Sequence, residues 1–392
     1  ESHYAVEVLS VMDVLLGPVR TQVEKTYSAP FATHLFTRET IEHPDGSQSR
    51  DYPRLTYGGA HLQDPVADRG ADIAQRSLVA LLQTLLATLA LLFILGAMLA
   101  RRHHRPVRQA LGDILAARTS VPWRAITLAT GMVLLLVFLS VNLAGAYHVL
   151  GTDKVGQDVF YQAVKSIRTG LVIGTLTTLV MLPFAILLGI MAGYLRGWVD
   201  DIIQYTYTTL NSIPGVLLIA AAILMLQVFI ANNPERFETT LERADIRLLF
   251  LCMILGITSW TGLCRLLRGE SLKLREIEFI QAAASFGVSH ARIITRHILP
   301  NVMHIVLITV VLDFSGLVLA EAVLSYIGIG VDPTMNSWGN MINRARLEMA
   351  REPMVWWSLM SAFIFMFVLV LAANLFSDAV RDAFDPHLRN NR

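Results

Sequence analysis

Charged residues are scarce in this sequence. They form 16% of the chain, whereas hydrophobic residues form 54%; an average soluble domain has about 25% charged residues. The 32 Lys and Arg residues nearly balance the 31 Asp and Glu residues, which leaves a net charge of +1. This balance gives no reason to expect nucleic-acid binding. The composition argues against an ordinary soluble enzyme and favours a chain that lies largely in lipid.

Cysteines and nucleotide-binding motifs are also scarce. Cys252 and Cys264 are the two cysteines, and a helix would separate them by about 18 Å, which is beyond the reach of a disulfide. We expect both to be packing residues. No G-x-x-x-x-G-K-[ST] phosphate loop occurs, so the sequence offers no recognisable means of hydrolysing ATP. We predict no catalytic residue, no metal site and no cofactor-binding residue in this chain.

Seven long apolar segments dominate the sequence. Crossing a hydrocarbon core of about 30 Å takes about 20 helical residues, and backbone groups in lipid must be paired within the segment. We therefore predict an all-α membrane protein. Pro183 and Pro214 interrupt the third and fourth segments, which neighbouring helices can tolerate. The segments are 78–100, 126–147, 169–194, 205–231, 247–266, 301–327 and 355–377.

Basic residues predict the orientation of the segments, because positive loops stay in the cytoplasm. The linker between the first two segments has one acid, Asp113. Alternating the segments then also places residues 265–297 and the C-terminus inside, and loops 148–168, 232–246 and 331–354 in the periplasm. The second basic stretch, 265–297, agrees with this assignment. The arginines of the linker are Arg101, Arg102, Arg105, Arg108, Arg118 and Arg124.

Residues 1–77 lie in the periplasm in this orientation. The segment mixes Val, Leu and Tyr with turn signals such as HPDGSQS at 43–49, which predicts a small domain with some strand content. Because the sequence starts at Glu1 rather than at a methionine, we expect a signal peptide or signal-anchor helix to precede it.

The stretch RLLRGESLKLREIEFIQAAASFGVSHARIITRHILPN at 265–301 has the pattern of a helix, a sharp turn and a second helix. Gly287 can supply a left-handed cap, Ser289 can start the second helix, and Pro300 marks the return to the membrane. Its alanines leave room for the backbone of a partner protein. We therefore expect a surface on which a separate protein docks.

This stretch resembles the EAA loop of ABC importer permeases, whose pattern is E-A-A, three residues, G, nine residues, I-x-L-P. Ala282, Ala283 and Gly287 are in frame, whereas Gln281 replaces the glutamate and His297 the isoleucine. In the family the first helix of the loop docks in a cleft of the ATPase. The resemblance implies ATPase coupling by Arg275, Glu276, Glu278, Phe279, Gln281, Ala282, Ala283, Ser285, Phe286, Gly287 and Ser289.

Four further blocks of the sequence match the family, and they occur in the same order as in the family. They are LGTDKVGQDV at 150–159, GYLRGWVDDIIQ to NSIP at 193–214, AEAVLSYIGIGVDPTMNSWGNM at 320–341 and NLFSDAVRDAFDP at 374–386. Over residues 126–386 the chain is identified as a member of the C-type permeases of dipeptide, oligopeptide and nickel ABC importers, a group of binding-protein-dependent inner-membrane components. The resemblance implies a type I ABC importer transmembrane domain.

The resemblance implies the following organisation. A periplasmic segment (1–77), an extra transmembrane helix (78–100) and a basic cytoplasmic linker (101–125) precede a six-helix permease domain (126–386). That domain contains the coupling loop 267–300, and a cytoplasmic tail (387–392) follows it.

The resemblance also implies partners and a mechanism. The chain would pair with a homologous B-type permease subunit in the bacterial inner membrane and form half of a path for peptides or similar small solutes. Two ATPase subunits would bind ATP and Mg and draw the coupling helices together, so that access alternates between the two sides. A periplasmic binding protein would deliver the solute, and the remaining surroundings would be membrane lipid.

Some residues have two readings. Asp153 and Asp158, with Gly151, Thr152 and Gly156, form a periplasmic motif that either contacts the binding protein or a gate, or caps a glycine-rich turn. The intramembrane acids Asp313 and Glu321 should face the bundle interior, a cavity or a partner, because charges in lipid are costly. They either line the translocation path or the permease interface, or they make structural hydrogen bonds.

Other polar or small residues favour structural roles. Gly189 and Gly193 form a small-xxx-small pair that is typical of helix packing. His103 and His104 stand among arginines, which favours a solvated surface over a metal site. Asp200 and Asp201 fit the start of a helix.

Two rival functions fit part of the sequence. A secondary transporter driven by an ion gradient would explain the apolar segments and Asp313 but not the coupling-loop pattern, and no inverted repeat is visible. A membrane-anchored sensor built on residues 1–77 would leave the blocks near 150 and 320 without a role.

Overall fold

The computed structural model describes residues 10–42, 48–237 and 239–384. The chain divides into two compact units, Glu1–Tyr161 and Gln162–Arg392. Residues 1–9 of the predicted periplasmic segment, the tip of the 43–49 turn and the predicted tail 387–392 lie outside the described residues.

The first unit combines short elements with two long helices. Its elements are α1 (Val11–Leu15), α2 (Gly17–Thr21), β1 (Glu39–Glu42), β2 (Gln48–Asp51), α3 (Arg69–His103), α4 (Val107–Leu115) and α5 (Trp123–Ala144). The strands form an antiparallel hairpin in which Glu39 lies opposite Asp51. This hairpin confirms the predicted strand content.

The regular elements of the second unit are all helices or helical turns in its described residues. Its elements are α6 (Val159–Leu195, which starts just before the unit boundary), α7 (Trp198–Ser212), α8 (Gly215–Asn232), a 3-10 turn (Pro234–Arg236), α9 (Thr240–Arg275), α10 (Glu278–Ser285), α11 (His290–Ile293), a π-helical turn (Ile294–Ile298), α12 (Leu299–Tyr326), α13 (Trp338–Glu348) and α14 (Trp357–Phe384).

Seven helical stretches of the described chain are long and apolar enough to cross a membrane, which matches the predicted number. They are Arg69–His103, Trp123–Ala144, Val159–Leu195, Gly215–Asn232, Thr240–Arg275, His290–Tyr326 and Trp357–Ala383. Several exceed their predicted lengths; α6 has 37 residues and is therefore about 56 Å long. An apolar run in the sequence marks only the part of a helix that lies in lipid. Its length therefore underestimates the length of a helix that continues into polar surroundings.

The fourth predicted segment, 205–231, was wrong in one respect. It is not one helix interrupted at a proline but two helices, because α7 ends at Ser212 and α8 begins at Gly215. Ile213 has an extended backbone (φ −92°, ψ 127°), the conformation that a following proline favours sterically. Pro183, by contrast, lies inside α6, as predicted.

Close packing of α6 on α9 forms the core of the second unit. A Cβ on Gly189 would lie 2.7 Å from the carbonyl oxygen of Cys264, and a Cβ on Gly193 would lie 2.5 Å from that of Arg268. The predicted packing role of the two glycines is confirmed. Cys252 and Cys264 are buried free thiols, as expected for packing residues.

Candidate functional site: the loop between α9 and α12

The inner face of the coupling loop is apolar and fixed. Ile280 of α10 is 1% exposed, and Ile293 and Ile298 are fully buried. All three belong to one hydrophobic cluster with residues of α6 and α9. Burial of an isoleucine side chain contributes about 1.5–3 kcal/mol, so these residues hold α10 and the segment leading into α12 against the helix bundle.

A left-handed glycine ends α10, as the sequence predicts. Gly287 has φ +77°. The amide of Val288 donates to the carbonyl of Ala283 (3.1 Å), and the amide of Gly287 donates to the carbonyl of Ala284 (3.0 Å). This pair of bonds is a Schellman motif. It reverses the chain sharply, and α11 begins three residues later at His290.

The outer face of α10 and its cap is exposed. The exposed residues are Glu276, Ile277, Glu278, Phe279, Gln281, Ala282, Ala284, Ser285, Phe286, Gly287 and Ser289. Phe286 is 88% exposed, more than any other large hydrophobic side chain in the described chain. Among the predicted coupling residues, Arg275 and Ala283 are only partly exposed. The surface therefore combines small side chains, two exposed aromatic rings, of which Phe286 is the more exposed, and acids at its edge.

Gln281 occupies the position where the family pattern has a glutamate. Its Nε2 donates to the carbonyl of Glu276 at 3.3 Å and approaches the Glu276 carboxylate at 3.4 Å. The amide side chain thus contacts Glu276, two residues before α10 begins, and the helix forms despite the substitution.

Several contacts join the coupling loop to the end of α6. Arg275 Nη1 donates to the carbonyl of Tyr194 at 2.9 Å. The Tyr194 hydroxyl lies 3.1 Å from His290 Nδ1, and Arg196 lies 3.7 Å from the Glu276 carboxylate. A displacement of the loop would therefore be transmitted to α6.

A bidentate ion pair joins α7 to α9 near the same loop. Arg268 Nε and Nη2 donate to the two carboxylate oxygens of Asp200 at 2.6 and 2.7 Å. The Arg268 guanidinium lowers the pKa of Asp200 below its ordinary value. From the sequence, Asp200 was predicted only to lie at the start of a helix. Its pairing with Arg268 was not predicted, although the two opposite charges lie at the same predicted edge of the membrane.

The predicted periplasmic motif, Gly151–Asp158, forms a capped turn. Asp153 Oδ1 accepts hydrogen bonds from the amides of Val155 and Gln157 at 3.0 and 2.9 Å. Asp158 Oδ1 accepts one from the amide of Tyr161 at the start of α6 (3.0 Å). These bonds favour the capping reading of the two aspartates.

Residues 24–31, here called the cover segment, lie directly on this motif. The amide of Glu24 donates to the carbonyl of Gly156 at 2.9 Å, and the amide of Phe31 donates to the carbonyl of His148 at 3.0 Å. The Thr152 hydroxyl accepts from the amide of Ser28 at 2.6 Å. A Cβ on Gly156 would clash with the Glu24 carbonyl oxygen, so only glycine permits this approach.

A buried charge cluster, Glu24, His148 and Asp158, lies beneath the cover segment. His148 Nδ1 is 2.7 Å from Asp158 Oδ2, and Nε2 is 3.4 Å from Glu24 Oε1. With a carboxylate at each ring nitrogen, the protonated imidazolium donates to both.

The pKa values of the cluster reflect this pairing. Burial alone would lower the pKa of His148, but its bonds to Asp158 and Glu24 raise it to about 9. Burial alone would raise the pKa of Glu24, but bonds from His148 and from the amides of Tyr57, Thr56 and Gly58 lower it to about 2. Glu24 and His148 were not predicted as a pair, because an acid in a polar segment is expected to be solvated and a single histidine in the sequence indicates no partner.

The two acids of α12 lie in different surroundings. Glu321 is 2% exposed, and its Oε1 accepts from the hydroxyls of Ser325 (2.6 Å) and Ser337 (2.8 Å). Glu321 thereby joins α12 to the cap of α13. Asp313 is partly exposed and has no hydrogen-bond or ion-pair partner among residues 10–42, 48–237 and 239–384.

These features define a class of protein. Seven long apolar helices in the described chain, with a polar loop between the fifth and sixth of them, are the features of a multi-pass membrane protein. Comparison with protein families then identifies the group. Residues 185–390, slightly more than half of the chain, match the model of the binding-protein-dependent transport system inner membrane component.

Individual relatives agree with this match. The glutathione transport system permease protein GsiD of Pectobacterium atrosepticum is 32% identical over 243 residues, which are 62% of this chain and 74% of the relative. The oligopeptide permease OppC of Mycobacterium tuberculosis is 33% identical over 248 residues, 63% of this chain and 79% of the relative. The dipeptide permease DppC of Bacillus subtilis is 28% identical over 244 residues, 62% and 70% respectively.

The chain belongs to the family of binding-protein-dependent transport system inner membrane components. It is a transmembrane permease subunit of an ATP-driven importer and a multi-pass protein of the inner membrane. It works with other transporter subunits, and ATP is hydrolysed by separate subunits. This confirms the resemblance inferred from the motifs and favours the importer over the ion-driven transporter and the sensor.

Proposed function

We propose that the exposed face of α10 and its glycine cap is the site where an ATPase subunit docks. The observation that carries this proposal is the 88% exposure of Phe286 at the tip of a rigid turn. Aromatic side chains are enriched at the centres of protein interfaces, and charged residues lie at the rims. Phe286 with the small residues Ala282 and Ser285 suits the centre, and Glu276 and Glu278 suit the rim.

In this proposal the docked ATPase moves the whole loop as one body. Ile280 and the other buried residues anchor the loop on α6 and α9, and Arg275 holds the end of α6. Two ATPase subunits carrying ATP and Mg would act on this chain and on a homologous B-type permease subunit. Their closure would rearrange the helices and alternate access to the solute path.

The proposed orientation follows the basic residues. The linker after α3 and the coupling loop would lie in the cytoplasm, whereas residues 1–77 and the motif at 151–158 would lie in the periplasm, where a binding protein would deliver the solute. The first helix that is long enough to span the membrane is α3. It lies outside the residues that match the family, and it is proposed as an addition to a six-helix domain. The proposed solutes are small peptides, since the relatives are named as permeases for glutathione, oligopeptides and dipeptides.

Asp313 is the proposed polar residue of the path or of the permease interface. The support is its depth in α12 and its lack of a partner in the described residues; an unpaired charge at that depth should face water or another subunit. Glu321, with two hydroxyl donors, fits a structural role better. Unchanged uptake by an Asp313→Asn variant that assembles normally would exclude the proposal for Asp313.

The docking proposal is tested with Phe286→Ser in the complete transporter. Loss of a buried Phe at an interface costs about 1.5–3 kcal/mol, so we expect the affinity for the ATPase subunits to fall by roughly tenfold or more and ATP-driven uptake in proteoliposomes to fall with it. The matched control is Leu347→Ser, which removes another side chain that is strongly exposed (71%) but lies in α13, within the stretch 331–354 that is predicted to face the periplasm. Normal ATPase binding and uptake by Phe286→Ser would overturn the proposal.

A further inference from the structure

A basic pocket lies where the linker joins α3 to α5. It has a volume of about 200 Å³, and its lining includes His103, Arg105, Arg118, Ser120, Trp123 and one acid, Asp113. One water molecule needs about 10–15 Å³ of such space, so the pocket accommodates a group of the size of a phosphate ester.

The backbone of the linker preforms this pocket. His104 and Ala117 have left-handed backbones, with φ +51° and +55°, and they bracket α4. Leu111 of α4 packs on Gly96 of α3, where a Cβ would lie 2.6 Å from Leu111 Cδ2. Ile114 is fully buried. The linker is therefore a folded elbow on α3, and the basic side chains have defined positions.

Positive charge in the pocket is poorly compensated. Arg105 lies 3.6 Å from Asp113 with its side chain 63% exposed, and exposed pairs of this kind contribute at most about 1 kcal/mol. No acid pairs with Arg118 in the parts of the chain that the structure describes. Arg101, Arg102 and Arg108 stand nearby in sequence but do not line the pocket. An anion would therefore be attracted to the pocket.

Exposed apolar surface adjoins the pocket on the side of the helices. Met98 of α3 is 62% exposed, and Leu128 of α5, one turn and a half after Trp123, is 65% exposed. Both helices are long enough to cross the membrane, and tryptophan favours the level of the lipid headgroups. An anion bound here would have exposed apolar side chains of α3 and α5 within about two helical turns of the residues that line the pocket.

We propose that this pocket between α3 and α5 binds the phosphate headgroup of an anionic phospholipid, with the acyl chains lying along the exposed faces of α3 and α5. Basic residues at the cytoplasmic edge of a span attract anionic lipids. The preformed elbow would convert that general attraction into a defined site. A soluble phosphate would use the charges but not the apolar surface, so the lipid is the ligand that fits both.

The test compares lipid binding by variants of the full chain in detergent micelles, measured by native mass spectrometry with phosphatidylglycerol and with phosphatidylcholine of the same acyl chains. We expect a preference for phosphatidylglycerol. In Arg105→Gln/Arg118→Gln the affinity should fall about fivefold for each arginine removed. The matched control, Arg101→Gln/Arg102→Gln, removes the same charge from the same linker outside the pocket and should change the affinity by less than twofold.

Asp113→Asn gives an independent readout, because it removes the one acid of the pocket and should raise the affinity for phosphatidylglycerol; misfolding cannot produce such a gain. Equal losses in the pocket variant and the matched control would overturn the pocket in favour of diffuse attraction. Absence of any headgroup preference would also overturn it. Competition by glycerol 3-phosphate as effective as that by phosphatidylglycerol would assign the pocket to a soluble phosphate instead.

Discussion

His148 shows how a single residue can hold a segment in place. Its imidazolium lies between Asp158 and Glu24 with no exposed side-chain surface, and the Glu24 carboxylate also accepts from the amides of Thr56, Tyr57 and Gly58. One charged ring therefore connects the loop before α6 to two separate stretches of the N-terminal region. Removing it would leave two buried carboxylates without their common cation, which is more costly than losing a surface ion pair.

The cluster predicts a window of maximal stability for the first unit. The folded-state pKa of His148, about 9, lies above its ordinary value of 6.5, so its contribution is complete below pH 6.5 and is lost as the pH rises through 9. The pKa of Glu24, about 2, lies below its ordinary value of 4.5, so its contribution is complete above pH 4.5 and is lost on acidification towards 2. The unit should be most stable between pH 4.5 and 6.5.

Hydrogen exchange at the amides of Thr56, Tyr57 and Gly58, corrected for the intrinsic pH dependence, measures this window. The alkaline loss should approach about 3 kcal/mol. In His148→Gln the decline in protection between pH 6.5 and 9 should disappear, because no titrating ring remains. The same decline in the variant would show that another group is responsible.

Gly287 is a second residue with an outsized effect. A β-branched side chain at φ +77° is strained by the left-handed backbone, at a cost of about 1–2 kcal/mol, although no atom lies within 4 Å of the position of its Cβ. We predict that Gly287→Val disturbs the turn and uncouples ATP hydrolysis from uptake. Gly269→Val, in the interior of α9 and equally free of contacts, is the control. Normal coupling in Gly287→Val would contradict the turn as the transmitting element.

At the scale of elements, α6 and α9 behave as one packed pair. The backbone of α9 lies within contact distance of the Cβ positions of Gly189 and Gly193, and Arg268 of α9 also binds Asp200 of α7. Because α9 leads directly into the coupling loop, the packed pair of α6 and α9 supports α10 and fixes its position.

Separating the pair should destabilise the second unit. Gly193→Ala places a Cβ 2.5 Å from the Arg268 carbonyl oxygen, and overpacking of this kind costs about 1–3 kcal/mol. We predict a lower melting temperature of the detergent-solubilised protein. Gly262→Ala, in α9 with nothing within 4 Å, should leave the melting temperature unchanged. Equal melting temperatures for both variants would show that the helices can relax apart without cost.

Elements differ in how far the sequence predicts them. A long apolar run in the sequence is sufficient to predict a helix, so all seven spans were predicted. The ends of these helices lie in polar flanking residues, which hydropathy does not identify as helical. For this reason α9 continues to Arg275 instead of ending near residue 266. The glycine cap after α10 was predictable because it depends on one local residue. The contacts of Glu24 with His148 and of Asp200 with Arg268 were not, since they join positions 124 and 68 residues apart.

At the scale of the whole molecule, the proposed orientation places the coupling loop and the motif Gly151–Asp158 on opposite sides of the membrane. Ser285 and Lys154 are exposed, whereas the native cysteines are buried, so single introduced cysteines can report on each side. A membrane-impermeant maleimide should label Lys154→Cys in intact spheroplasts and Ser285→Cys only after permeabilisation. Labelling of Ser285→Cys from outside would reverse the orientation and remove the ATPase from reach of the loop.

The cover segment is part of the same polypeptide as the motif beneath it. A tethered segment experiences an effective concentration in the millimolar range, so it occupies its place regardless of how much transporter a cell makes. Thr152 and Asp158 are consequently buried. A protein that binds to this face would contact residues 24–31 and not Thr152 or Asp158. The motif at 151–158 is thus covered by a segment of the same chain, and its cover does not depend on the concentration of a separate protein.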